Sequence, residues 1–261
     1  PQGVHDIKIH ESIAGNLSNT QQDAVRLALY KHSQSKAFIV GDQTGAGKGR
    51  IGVGILLNHL LDGTSDRLLY ISTSTMFSDL CRDVNALLGV KNRMSVRDLR
   101  DIKLSMPTLP NNGILFCPYS MFVKNRSRIE KWIDSSAKKT TIVLDESHNA
   151  CKTQKSAIGE AMLDFLLNKF QKLHLTFMSA TFAGSPVELA LYAPFCGLAG
   201  AGGFETFDQV LKKFEKSPRS TLEYLRLELA ASNSIVSRQL SFEGVDVVTA
   251  VCETSPEFLR L

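Results

Sequence analysis

The sequence lacks any close pairing of its five cysteines: Cys81, Cys117, Cys151, Cys196 and Cys252 stand far apart, without CxxC spacing or histidine partners. That excludes a zinc ribbon or a disulfide framework and points to a reducing, intracellular compartment, nuclear or cytoplasmic. No apolar run reaches the length of a membrane span, and no secretory signal opens the chain. Charge of one sign is also scarce. The net charge is +4 over 261 residues, so any nucleic-acid surface has to be a local patch rather than a global field. Internal repeats and low-complexity tracts are absent.

What remains is a chain with 43% hydrophobic residues, enough for a sizeable core and for one large domain or two small ones. It begins at Pro1 and stops at "FLRL" just after a strand-like run, and so reads as a fragment of a longer protein.

The pattern along the chain is an alternation. "NLSNTQQDAVRLALYKH" (16–32) predicts a helix capped by Ser18, with Ala24, Val25, Leu27 and Leu29 as apolar positions. "KAFIVG" (36–41) predicts a short buried strand. "RIGVGILLNHLL" (50–61) has a helical pattern although Gly52 and Gly54 weaken it, and close packing on a sheet would account for them. Strand "RLLYIST" (67–73), helix "TMFSDLCRDVNALLG" (75–89), strand-to-helix "NGILFCPYSMF" (112–122) and strand "TTIVLDESHNA" (140–150) follow, then helix "SAIGEAMLDFLLNKF" (156–170) and strand "LHLTFMSAT" (173–181). Strands alternating with helices predict an α/β fold, a parallel sheet flanked by helices on both faces. From about Ser185 the alternation stops. Helical segments at 186–195, 204–216 and 219–232 precede a final strand, "VDVVTAV" (245–251), and "GLAGAGGF" (197–204) is the candidate flexible loop.

Three polar stretches fall at carboxyl ends of predicted strands, where ligands bind in such sheets. The first is Asp42-Gln-Thr-Gly-Ala-Gly-Lys-Gly49. Gly45 and Gly47 permit a backbone that aims N–H groups at phosphate, the next helix presents its N-terminus, and Lys48 reaches the β- and γ-phosphates. The match to GxxxxGK[ST] is incomplete, because Asp42 replaces the first Gly and Gly49 the magnesium-binding hydroxyl. The second stretch is Asp145-Glu-Ser-His148, whose paired acids suit magnesium, held through water by Asp145, and activation of an attacking water by Glu146. The third is Ser179-Ala-Thr181. Each alone has an ordinary structural reading; the three in this order point to NTP hydrolysis.

At these residues the chain resembles a superfamily 2 helicase or translocase. Thr44–Lys48 is similar to its motif I, Asp145–His148 to its DExH box and Ser179–Thr181 to its SAT motif. "GDQTGAGKGR" more narrowly resembles the phosphate loop of strawberry notch-type helicases, where Lys-Gly-Arg is the family's own pattern. "LSNTQQDAV", "FCPYSMF" and "SRQLSFEGVDV" are similar to segments of that family's first lobe in the same order. Gln43 and Ser147 depart from the residues common in that family, and nothing resembles its second RecA-like lobe.

The resemblance implies a RecA-like P-loop NTPase lobe over 17–184. Residues 1–16 are then an extension, and 185–261 a helical section whose last strand completes the lobe. It implies ATP and Mg²⁺ on Gln21, Thr44, Gly45, Ala46, Gly47, Lys48, Gly49 and Arg50. Lys48, Asp145 and Glu146 are the implied catalytic residues, and His148, Ser179 and Thr181 couple the site onward. Ser72, Thr73, Ser74, Tyr119 and Ser120 stand where such proteins contact DNA or RNA backbone. No membrane is implied, and a second lobe in the same chain would supply arginine fingers.

Several residues keep two readings. Gln21 reads adenine, or closes a capping box with Ser18. His148 couples the acids to the second lobe, or makes a structural hydrogen bond. Arg50 touches phosphate, or is an exposed first-turn arginine. "KNRSRIEKW" (124–132) either attracts a nucleic-acid backbone or is a solvated helix face with Trp132 packed inward. At the level of function, the alternative to a motor is a nucleotide-dependent regulatory scaffold with little hydrolysis; Gly49 favours it and the Asp145–Glu146 pair opposes it.

Overall fold

Side chains of a strand alternate between the faces of its sheet, and here both alternating sets are apolar. The computed structural model describes residues 3–4, 6–42, 45, 47–89, 94–106, 108–150, 157–181, 186–198 and 206–238. Its strands are β1 (Phe38–Val40), β2 (Ser65–Ser72), β3 (Val96–Asp98), β4 (Ile114–Pro118), β5 (Lys139–Leu144), β6 (Leu173–Met178) and β7 (Ile235–Val236). They form one sheet in the order β3-β4-β2-β5-β6-β1-β7 with every pairing parallel. A parallel sheet buried on both faces needs helices on both sides. One side carries α1 (Glu11–Ala14), α2 (Asn19–Ser33), α3 (Lys48–Leu61) and α4 (Phe77–Leu88), packed on Phe38, Val40, Leu68, Tyr70, Val143 and Met178. The other carries α5 (Tyr119–Asp134), α6 (Ala157–Lys169), α7 (Pro186–Cys196), α8 (Phe207–Lys216) and α9 (Pro218–Ala231), packed on Ile39, Leu69, Ile71, Ile142, Leu144 and Phe177.

The predicted helices and the central strands form where the sequence places them. Ser18 accepts from Gln21 N and Gln21 Oε1 accepts from Ser18 N, so the capping box of α2 is complete. A cap of this kind is worth about 0.5–2 kcal/mol. Gly52 and Gly54 lie inside α3 because that helix sits close on its neighbours. A Cβ at Gly52 would meet Met178 Sδ at 2.8 Å, and one at Gly54 would meet Val25 at 3.1 Å.

The C-terminal helices belong to the same buried cluster as α5 and α6. Ala37 N donates to the Phe195 carbonyl, and the ring of Tyr192 meets Phe177 edge-on at 4.9 Å. The chain returns to the sheet edge at β7, beside β1, earlier than the strand expected over 245–251. That segment lies outside the described residues, as does most of the predicted loop 197–204. The strand β3 was not expected from the sequence. Trp132 is buried, donates to the Pro110 carbonyl and lies under Arg67, while Arg126 pairs with Glu130 and Asp164. For 124–132 the packed helix face is therefore the reading the structure bears out. Among the described residues no helix is long and apolar enough to cross a membrane.

At the amino end of the sheet, far from the loops that follow the strands, three imidazoles meet. His32 Nε2 lies 2.9 Å from the Leu175 carbonyl, which can only accept, so that nitrogen carries the proton. His32 Nδ1 then accepts from His59 Nε2 at 2.8 Å, and His59 Nδ1 accepts from the Thr64 hydroxyl at 2.8 Å. His174 stacks on His32 and lies tilted against His59 at 4.0 Å. All the nitrogens needed for a metal lie within 4.8 Å. The His32–His59 spacing, however, is that of a shared proton, shorter than the roughly 3.3 Å between two nitrogens on one tetrahedral zinc. His32 and His59 are thus joined in one hydrogen-bonded chain, and burial holds His32 at about 3 and His174 at about 4, with His59 also well below its ordinary value.

Candidate nucleotide site

Four adjacent strands, β2, β5, β6 and β1, end at one rim, where Ser72, Asp145, Ser179 and the glycine loop follow them; Asp145 and the glycine loop line a single cleft of about 630 Å³. Its walls include Gln21, Gly45, Gly47, Lys48, Gly49, Arg50, Asp145 and Glu146. The sequence expected these eight residues together, and the fold brings them together. Thr44 and Ala46, expected in the same site, lie outside the described residues.

The loop owes its shape to glycine at two positions. Gly45 has φ 90° and Gly47 φ 78°, in the left-handed region. A Cβ at Gly47 would also stand 2.4 Å from Gln21 Nε2. Gly47→Ala is therefore expected to cost about 1–2 kcal/mol of stability and to push the Gln21 amide aside. Thermal unfolding would register a Tm lowered by about 2–6 °C; an unchanged Tm would show that the loop accommodates the methyl. Of the two readings of Gln21 the structure shows the capping box, closed by Oε1, while Nε2 faces the loop.

Lys48 is buried and its Nζ donates to the Asp42 carbonyl at 2.9 Å. Asp42, wholly buried where a loop of this kind has glycine, takes Arg238 as its counter-charge. The Arg238 Nε lies 3.1 Å from both carboxylate oxygens, its backbone N donates at 2.8 Å, and Nη2 completes the pair. Arg238 also donates to the Thr20 carbonyl, tying α2 to the loop. Nothing local in the sequence announces Arg238, since its partner stands 196 residues earlier.

Across the cleft Asp145 is 3% exposed, and Ser72 Oγ donates to its Oδ2 at 2.9 Å. Burial pushes the Asp145 carboxyl up, against the pull of the Ser72 donor, and the adjacent Glu146 adds to the rise. The Tyr119 hydroxyl donates to the Asp145 carbonyl at 2.9 Å, and Tyr70 lines the same cleft. Ser72 and Tyr119 are thus buried supports of Asp145. The expectation that these two side chains contact nucleic acid is corrected, because their hydroxyls are enclosed and committed. Thr73, Ser74 and Ser120 lie at the surface.

Glu146 adopts φ 48°, a left-handed conformation uncommon for a residue with a side chain. Its Oε2 lies 3.3 Å from His148 Nδ1, which lies 3.1 Å from Ser179 Oγ. Ser179 Oγ donates in turn to the Thr181 carbonyl at 2.8 Å. The paired-acid loop and the polar tripeptide are therefore in direct contact through His148. Ser147 points the other way, to the Tyr192 hydroxyl at 2.7 Å.

The residue that sequence reasoning missed within the cleft is Asp83, on α4. It is 6% exposed, and its Oδ1 lies 3.8 Å from Arg50 Nε and 3.5 Å from Arg82 Nε. Burial pushes it up while the two arginines pull it down. A signal was available: Leu80, Asp83, Val84 and Leu87 form the buried stripe of an amphipathic helix, and an acid in such a stripe needs a reason.

A parallel sheet of this order, with a glycine–lysine loop and a paired-acid loop on one rim, defines a P-loop NTPase lobe of RecA-like architecture. The chain belongs to the family described as P-loop containing NTP hydrolase pore-1, whose model matches residues 2–261. It is strawberry notch-like. Protein strawberry notch homolog 2 of Homo sapiens is 29% identical over 263 residues, covering 95% of this chain and 19% of that protein. Protein FORGETTER 1 of Arabidopsis thaliana is 27% identical over 286 residues, covering 98% of this chain and 22% of that protein. The chain therefore spans about a fifth of the length of these relatives. In fold it is similar to the Sulfolobus solfataricus SWI2/SNF2 ATPase core in complex with dsDNA, with a TM-score of 0.66 at 15% identity over 89% of this chain and 47% of that one.

Proposed function

We propose that this chain is the ATP-binding and hydrolysing lobe of a superfamily 2 DExH translocase or helicase acting on nucleic acid or nucleoprotein. The observation that carries the reading is the cleft itself, with a buried carboxylate and a second acid on one wall and Lys48 with two left-handed glycines on the other. These residues fit a magnesium nucleotide. The loop holds Gly45 and Gly47 in left-handed backbone that leaves its N–H groups free of side chains, and Asp145 is a buried oxygen donor whose carboxylate accepts from the Ser72 hydroxyl. Bound magnesium supplies charge neutralisation for the phosphates.

In this reading Lys48 leaves the Asp42 carbonyl for phosphate, and loop N–H groups orient the nucleotide. Asp145 would hold the metal through water. Glu146 takes the proton of the attacking water, and His148 relays its state to Ser179 and Thr181. Residues 17–184 form the lobe, 185–261 complete it, and a second lobe elsewhere in the parent protein supplies arginine fingers. Thr73, Ser74 and Ser120 are the surface hydroxyls left to meet a phosphate backbone. The dsDNA bound by the SWI2/SNF2 core supports nucleic acid as the partner.

Titration of ATP into the chain, with and without Mg²⁺, tests the reading. Magnesium-strengthened binding that weakens about 10–100-fold in Lys48→Ala is expected, the loss of charge-assisted hydrogen bonds to phosphate. Negligible binding in both proteins would sink it and move the regulatory scaffold ahead.

A further inference from the structure

Gly49 stands where a phosphate loop usually carries the hydroxyl that binds magnesium, and the structure shows what occupies that space. A Cβ built on Gly49 would lie 2.2 Å from Asp83 Oδ2 and 3.4 Å from its Cγ. No serine or threonine fits at 49 while Asp83 holds this position, and the Asp83 oxygen sits in the volume such a side chain would fill. The two residues are a matched pair: the absence of a side chain on α3 admits a carboxylate from α4.

The carboxylate is oriented for the purpose. Both arginine contacts, from Arg50 and Arg82, fall on Oδ1, at distances beyond a charge-assisted hydrogen bond, and Oδ2 is the oxygen turned toward Gly49. Asp83, Asp145, Glu146 and Lys48 line one cleft. Tyr70 lines the same cleft, where burial and then the charges of Asp145 and Asp83 push its hydroxyl up. Magnesium takes hard oxygen ligands, and a carboxylate is a stronger one than a hydroxyl.

We propose that Asp83 supplies the protein oxygen for the nucleotide's divalent cation that Gly49 cannot. The proposal rests on the nucleotide site put forward above and assigns that site a residue from outside its recognised loops. Arg50 and Arg82 then act as positioning residues that hold Oδ1 and leave Oδ2 to the metal. Glycine after the lysine is in this view the condition for a different ligand, not a defect.

The test is isothermal titration of ATP into the 261-residue chain, without divalent ion, with Mg²⁺ and with Mn²⁺. It compares wild type with Asp83→Ala, Gly49→Ser and the Gly49→Ser/Asp83→Ala double variant, and Mn²⁺ electron paramagnetic resonance on the ATP-bound proteins gives a second readout. In Asp83→Ala the metal-free ATP affinity is expected to stay within a few-fold of wild type, while the strengthening by Mg²⁺ falls about 10–100-fold. Gly49→Ser alone sets a hydroxyl against the carboxylate and is expected to lose binding. The double variant, with the carboxylate gone and the hydroxyl present, is expected to regain metal dependence. Full metal strengthening in Asp83→Ala overturns the proposal. Equal weakening with and without metal also overturns it, and leaves Asp83 as an anchor for Arg50. Wild type that binds no ATP under any condition removes the nucleotide reading and this inference with it, an outcome distinct from the other two.

Discussion

Glu146→Gln is expected to lower ATP turnover about 10²–10⁴-fold while leaving ATP affinity within a few-fold, in a protein that carries this chain with a second lobe. The amide keeps the size of the carboxylate and can still accept a hydrogen bond from His148, 3.3 Å away in this structure. It cannot take a proton from water. The backbone at Glu146 argues in the same direction: a residue held at φ 48° beside a buried Asp145 has its side chain turned by the fold. Phosphate release under saturating nucleic acid, with nucleotide affinity measured in parallel, separates the two effects. Turnover within a few-fold of wild type would show that another group activates the water. Equal losses of affinity and turnover would assign Glu146 to binding.

Mild acid is expected to unfold the protein well above the range in which carboxylates are protonated. In the folded state burial keeps His32 at about 3 and His174 at about 4, and holds His59 well below its ordinary value. In the unfolded chain all three titrate near 6.5. Depressed histidines contribute stability that is complete above about pH 6.5. It is lost as pH falls, because the unfolded chain binds protons that the folded one refuses. The two most buried rings, His32 and His59, together remove about 3 kcal/mol by pH 5.5, and the partly exposed His174 adds less. That is a large share of a typical folding free energy. The buried acids Asp83 and Asp145 have the opposite sign: their raised values favour the folded state as pH falls, which offsets part of the loss. Urea midpoints at pH 7.5 and pH 5.5 measure the balance. A midpoint that does not move would mean the imidazoles reach water more readily than the structure allows.

What the sequence disclosed depended on how local the cause was. Apolar β-formers followed by a polar turn marked β1, β5 and β6, and a polar turn at a strand end is where a sheet of this kind places ligands. The rim was therefore legible, and so was the capping box, which needs only four consecutive residues. The edges of the sheet were not. Strand β3 has three residues and β7 two, too short for any alternation to register. Ser72 and Tyr119 looked like surface hydroxyls because a strand end and a helix start are usually exposed; only the sheet order, with β4 beside β2 and β2 beside β5, brings them to Asp145. Asp83 and Arg238 were out of reach for a different reason. Their partners, Gly49 and Asp42, lie on other elements, and no spacing rule links an acid on one helix to a missing side chain on another.

The Asp42–Arg238 pair also sets an order of events during synthesis. At roughly 5–20 residues per second, the 196 residues between them take about 10–40 s to emerge from a ribosome. Through that interval β1 has β6 as its sole sheet neighbour once β6 arrives, and its other side is an open edge. An open edge is a template for pairing with another chain. Asp42 meanwhile waits at the strand end without its counter-charge. A stop codon or a protease cut between α9 and Arg238 would therefore leave nearly the whole core intact yet expose the phosphate-loop strand. The expected fate of such a product is self-association, not mere inactivity.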